Sequence, residues 1–94
     1  MSTKTLIQPE KEKDIDVAIA EPAKVILFND EIHTFDEVIA QLLKALKCDT
    51  HKAEALAWEV HNNGKAVVYI GDMAECLKVN GVLEEIALHT QIEI

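Results

Sequence analysis

Apolar and polar positions alternate along this chain with periods that change from segment to segment. Val25–Phe28 is a short continuous apolar run of the kind a buried strand shows. Phe35, Val38, Ile39, Leu42, Leu43 and Leu46 then recur at i, i+3, i+4, i+7, i+8 and i+11, one face of a helix of about three turns. Thr34 and Glu37 open it with capping-box spacing: the hydroxyl can accept from the Glu37 N–H while the carboxylate reaches back. A second helix starts near Asp49 or Thr50 and repeats the spacing with Ala53, Leu56, Ala57 and Val60. It closes at Asn63-Gly64, where glycine can take the left-handed conformation that ends helices.

Ala66–Ile70 is β-branched and aromatic, a strand pattern, and Gly71-Asp72 is a turn. Asp72 and Glu75 repeat the capping-box signature ahead of a third, less regular helix from about Met73 to Ala87, with Gly81 a candidate break. In His89–Ile94, residues Thr90, Ile92 and Ile94 face one way and Gln91 and Glu93 the other, a half-buried final strand. The order is β-α-α-β-α-β, which predicts an α+β sandwich with helices on one side of a small sheet. Residues 1–22 form a polar tail ending at Pro22, ahead of a domain at 23–94. Within the tail, Ile15, Val17 and Ile19 alternate with Asp16, Ala18 and Ala20, a pattern that suits either a short edge strand or a mobile linker.

Ninety-four residues make one domain, and 49% hydrophobic content suffices for a packed core. The net charge of −8, with nine Lys and no Arg, argues against nucleic acid and against anionic membrane surfaces. It favours basic partners or a cationic ligand group. No signal-peptide core and no membrane-spanning stretch is visible, and Cys48 and Cys76 form no CxxC, so a reduced, cytoplasmic protein with inert thiols is expected. Four histidines and two cysteines show no metal-ligand pairs, nothing marks an activated nucleophile, and three glycines build no phosphate loop. The chain is expected to be a non-enzyme without metal or cofactor. A monomer is the simplest expectation for its size and charge.

The chemistry concentrates at two places. The run Val25–Phe28 stops at Asn29-Asp30-Glu31, three consecutive oxygen-bearing side chains where Gly or Pro would be usual. Such a stretch is an ordinary polar turn in many proteins. Here Phe35 and Val38 follow at once, which sets a polar rim above an apolar wall. His61 stands at the end of the second helix, one residue past Val60, where a histidine commonly complements the helix dipole and where a neutral ring can also accept a hydrogen bond. Acceptors so gathered suit a cation with several N–H donors, such as a free protein N-terminus. Trp58, on the same helix, reads as a packing residue.

At these residues the chain resembles the ClpS family, the N-degron adaptors of bacterial Clp proteases. The strand into Asn29-Asp30, the block Val60-His61-x-x-Gly64-Lys65-Ala66 and their separation by two helices carry the resemblance, which runs from about Lys24 to the C-terminus. It implies a three-stranded antiparallel sheet packed on helices, and a tail that engages an unfoldase. It also implies an adaptor that binds substrates beginning with Leu, Phe, Tyr or Trp and passes them to a ClpA-type AAA+ unfoldase for degradation by ClpP. By position, Asn29, Asp30 and His61 would hold the α-amino group and first peptide unit, with Glu31 where many members have a second Asp. The side-chain pocket would be lined by His33, Phe35, Val38, Ala57, Val60 and Leu88.

Two departures matter. His33-Thr34-Phe35 stands where many members have Thr-Pro-Met, and Ala57 stands where a second Met is usual, so the pocket is expected to persist with altered shape. The stretch Gly71–Leu88 is several residues shorter than usual, and family contacts with the unfoldase lie partly there. A competing reading keeps the fold as a protein-docking module that does not read N-termini.

Overall fold

The computed structural model describes residues 21–94. Six elements follow in the expected order: β1 (Ala23–Phe28), α1 (Phe35–Leu46), α2 (Thr50–Asn63), β2 (Lys65–Gly71), α3 (Met73–Glu84) and β3 (Thr90–Glu93). β1 lies in the middle of a three-stranded sheet of order β2-β1-β3 and is antiparallel to both neighbours. Its alternate residues Ala23, Val25 and Leu27 are all at most 1% exposed and face the helices. Covering one face requires only those alternate residues to be apolar; the run is continuous because Ile26, on the opposite face, is also buried at 6% exposure. The register with β2 shifts between Val25 and Ile26, an irregularity that adds twist to the pair.

The helices complete the core. Leu42 of α1, Ala53, Ala57 and Val60 of α2, and Cys76, Val79 and Leu83 of α3 close over the sheet with Leu88. Three small alanines on the buried sides of α2 and β2 let those two elements approach closely. Gln41 is the buried polar exception. Its amide donates to the Val82 carbonyl (2.6 Å) and the Glu85 carboxylate (3.2 Å), so its burial costs little and ties α1 to the end of α3.

Local chemistry sets the ends. Thr34 and Glu37 form the full capping box. Asp49 caps α2, and Asp72 caps α3 by accepting from the Glu75 N–H; the reciprocal half of the second box is not formed. Gly64 closes α2 at φ +87°, and Lys47 closes α1 in the same left-handed region without being glycine.

Two expectations are corrected. α3 runs through Gly81, which sits on an exposed side with nothing near its Cα to force a break. It ends at Glu84 rather than Ala87. Past Glu84, Ala87 takes φ 62°, its N–H donating to the Glu84 carbonyl while the Leu88 N–H donates back to Leu83. That pair of bonds is the Schellman closure, with Leu88 seated on Leu83 as its apolar contact. Alanine hid it in the sequence, because glycine is the usual marker.

In β3, Thr90 and Ile92 are half-buried as expected, whereas Ile94 lies past the strand and is 78% exposed. The possible strand at Ile15–Ile19, and all but the last two residues of the predicted 1–22 tail, lie outside the described residues.

Truncating Leu42, fully buried between α1 and the sheet, is expected to cost about 2–5 kcal/mol. Ile32→Ala, at an 85%-exposed position, should stay within about 0.5 kcal/mol. Urea unfolding of both variants measures the contrast.

Candidate functional site

β1 delivers the chain to the site. At its end the Asn29 N–H donates to the Gly64 carbonyl (2.8 Å), and the Gly64 N–H donates to the Val60 carbonyl (2.9 Å). These two bonds seat the start of the acidic loop on the closing turn of α2, beside His61. On the other flank, the Phe28 N–H donates to the His89 carbonyl (3.0 Å), and the two rings stack with centroids 4.7 Å apart.

Asp30 organises the loop. Its Oδ1 accepts from the backbone N–H groups of Ile32 and His33 (both 2.8 Å), an Asx-type turn. Its Oδ2 lies 2.7 Å from His33 Nδ1. The other ring nitrogen of His33, Nε2, lies 2.5 Å from the Ile86 carbonyl just past α3. Partial burial pushes the Asp30 carboxyl up, but the bonds from the His33 and Ile32 N–H groups and from the His33 ring outweigh it and hold the carboxyl below its ordinary value. The His33 ring is pushed above its ordinary value, first by its bond to Asp30 and then by its bond to the Ile86 carbonyl.

Between this loop and α2 opens a cavity of about 540 Å³. Its polar rim is Asn29, Asp30, Glu31, His33 and His61, and its apolar wall is Phe35, Val38, Ala57, Trp58 and Val60. Nine of the ten residues expected at the site therefore meet in one cavity. The tenth, Leu88, is 4% exposed and lies beneath, lining a separate slot of about 10 Å³ with Val38, Val60 and His33. Leu88 supports the floor rather than the wall.

Trp58, read from the sequence as a packing residue, also lines the cavity. It packs on Phe35 (ring centroids 4.8 Å, 52° between planes), yet it remains 53% exposed and its edge meets the His61 ring at 5.9 Å. The signal was present: residues 58 and 61 are three apart on a helix and share a face. The Phe35 and Trp58 rings make part of the cavity wall aromatic, and Ala57 adds a small side chain to it.

An apolar pocket under a crown of hydrogen-bond acceptors has the chemistry to take a cation attached to a hydrophobic group. Among the described residues no cluster of three or more His, Cys, Asp and Glu side chains could hold a metal ion. None of their helices is long and apolar enough to cross a membrane.

Fold and site together define a small α+β ligand-binding domain, and comparison with known proteins places it. The family model for the ATP-dependent Clp protease adaptor protein ClpS matches residues 19–91, and the chain belongs to the ClpS family. The ClpS adapter protein of Acetivibrio thermocellus is 36% identical over 76 residues, covering 79% of this chain and 75% of that protein. The mouse E3 ubiquitin-protein ligase UBR2 is 35% identical over 79 residues, covering 79% of this chain but 4% of the ligase. Its match thus reaches only a small part of a much longer protein. Among solved structures, Agrobacterium tumefaciens ClpS2 bound to L-phenylalaninamide superposes with a TM-score of 0.70 at 20% identity, over 78% of this chain and 95% of that one. That likeness establishes the shared fold.

The directions of the two shifts predict how stability depends on pH. Asp30 contributes fully above its unfolded value of 3.8, and the contribution is lost as pH falls through the lower folded value. His33 contributes fully below its unfolded value of 6.5, and the contribution is lost as pH rises through the higher folded value. The stability gap between the unsubstituted chain and His33→Gln should therefore be widest between 3.8 and 6.5 and shrink on both sides, as read by urea unfolding across pH.

Proposed function

We propose that this domain recognises N-degrons: it binds the free α-ammonium group of a protein whose first residue is bulky and hydrophobic. The observation that carries the reading is the cavity itself, with Asn29, Asp30, Glu31 and His61 rimming a wall of Phe35, Val38, Ala57, Trp58 and Val60. An ammonium with three N–H donors takes up the acceptors, and the first side chain fills the apolar part. Membership of an adaptor family supports the reading, as does a protein of the same fold that binds L-phenylalaninamide, a free amine carrying a benzyl side chain.

The energetics are sufficient without covalent chemistry. Burying a Leu or Phe side chain contributes about 1.5–3 kcal/mol. Each hydrogen bond from the charged amine contributes roughly 1.5–3 kcal/mol. Two or three such bonds with the side chain reach about 5–12 kcal/mol before ordering costs. Micromolar affinity corresponds to about −8 kcal/mol. Membership of an adaptor family supports reading the domain as an adaptor rather than an enzyme.

Delivery follows from what the adaptor is joined to. The match to a Clp protease adaptor supports handing bound substrates to a ClpA-type AAA+ unfoldase for ClpP. That ubiquitin ligases match over much of the same chain supports placing recognition in this domain and degradation in its partner.

Titration with a fluorescent peptide beginning Phe is expected to show micromolar binding that falls at least about a hundredfold on N-acetylation, because acetylation removes the charge and leaves a carboxylate unpaired. Asp30→Ala should abolish binding of the free peptide. Equal affinity for free and acetylated peptides would instead favour a surface-docking module.

His61 gives a separate readout. If its ring accepts a hydrogen bond from the ammonium, His61→Ala weakens binding of the free peptide by about tenfold and leaves binding of the acetylated peptide unchanged. Equal affinity of His61→Ala and the unsubstituted protein for the free peptide would rule out an acceptor role for His61.

A further inference from the structure

His33 lies in the cavity rim, but its bonds point away from the ligand space. Nδ1 meets the Asp30 carboxylate at 2.7 Å, and Nε2 meets the Ile86 carbonyl at 2.5 Å. Both partners are acceptors. A neutral imidazole carries one N–H and one lone pair, so one of the two contacts would set a lone pair against an oxygen. A proton on Asp30 Oδ2 would satisfy both contacts by donating to Nδ1, but the two backbone N–H groups that Oδ1 accepts favour the ionised carboxylate and disfavour that arrangement. The geometry therefore favours an imidazolium that donates twice, and the 2.7 Å contact with Asp30 has the length of a charge-assisted bond.

The surroundings agree. The Ile86 carbonyl belongs to the Schellman closure of α3, where the last carbonyls lack partners within the helix and the helix dipole favours a cation. Asp30 faces the ring from the loop, and the Glu37 carboxylate adds an attractive charge from α1. On the α3 side the carboxylate of Glu85 is taken up by Lys44 at 2.6 Å. Val38 and Val60 bring no charge to the slot beneath the ring, and Glu31 and His61 share the cavity it rims. The His33 side chain is only 11% exposed.

We propose that His33, as an imidazolium bridging the Asp30 carboxylate and the Ile86 carbonyl, is the positioning residue of the ammonium site. It holds the acidic loop against the turn between α3 and β3, two segments 53 residues apart in the chain. The inference rests on the N-terminus reading of the cavity and adds a requirement to it: the loop presents its acceptors correctly only while this ring is protonated. With Oδ1 and one face of Oδ2 engaged by the chain, Asp30 offers the ligand its remaining Oδ2 position, whose direction the ring fixes.

The test has two parts. Nitrogen-15 NMR of the histidine rings in the unsubstituted protein reads the proton count directly and needs no variant. His33 should carry hydrogen on both nitrogens at about pH 7 and lose one only at higher pH. A singly protonated His33 ring at about pH 7 would overturn the proposal.

The second part is the affinity for a Phe-initiated peptide, free and N-acetylated, from about pH 6 to about pH 9, for the unsubstituted protein and for His33→Gln shown folded by a cooperative melt. The same peptide is used throughout, so titration of its own amine cancels in the ratio of the two dissociation constants. That ratio should be at least about tenfold at about pH 6, the equivalent of one charge-assisted hydrogen bond. It should fall towards unity over the pH range in which the NMR signal shows His33 losing its proton. Acetylation-sensitive binding with a ratio near one at every pH, or a large ratio that ignores pH, overturns the positioning role and leaves the N-terminus reading standing. Binding insensitive to acetylation in both proteins overturns that reading and the positioning role with it.

Discussion

The hydrogen bond from the Asn29 N–H to the Gly64 carbonyl is the point on which the site depends. It extends the pairing of β1 by one step past the strand, onto the closing turn of α2. Everything before it is core: a central strand whose inward residues are almost fully buried and whose place is therefore set by the whole hydrophobic interior. Everything after it is rim. The acidic loop inherits the rigidity of the sheet while reaching solvent, which a free loop of the same composition would not do.

Rigidity suits what the rim has to do. A flexible crown of acceptors would spend binding energy on ordering itself. Here Asp30 is fixed by backbone N–H groups and by His33, and Thr34 with Glu37 pins the next residues to the start of α1. The loop is thus held at both ends and in the middle. Its charges are also balanced locally, since the Asp30 carboxylate and the His33 ring form an ion pair within the rim.

The apolar half of the cavity combines side chains of very different size. The large Phe35 ring at the first turn of α1 and the small Ala57 side chain of α2 line the same wall. Trp58 leans on Phe35 and extends the aromatic surface toward His61, joining the apolar wall to the polar rim. Relatives from a Clp protease adaptor to a ubiquitin ligase match over 79% of the chain, yet the match takes in 75% of the adaptor and 4% of the ligase, so similar sequence occurs in proteins of very different length.

The sequence by itself determined the elements and their order, because periodicity, caps and the Asn63-Gly64 stop are local signals. It also determined which segments hold the site, since an apolar run ending in three acceptors is visible without coordinates. Tertiary structure alone decided the rest. The end of α3 was misplaced because Ala87, not glycine, takes the left-handed position. Burial of Gln41 could not be read from an apolar stripe that does not include it, since its partners lie 41 and 44 residues away. Leu88 moved from wall to floor, and Trp58, packed on Phe35 as expected, also joined the cavity wall, because depth depends on how helices cross and not on spacing along one of them. Above all, the charge state of His33 comes from two acceptors, one of them 53 residues distant. Local sequence encodes which conformations a segment prefers; the proton on a side chain is set by whatever the fold brings against it.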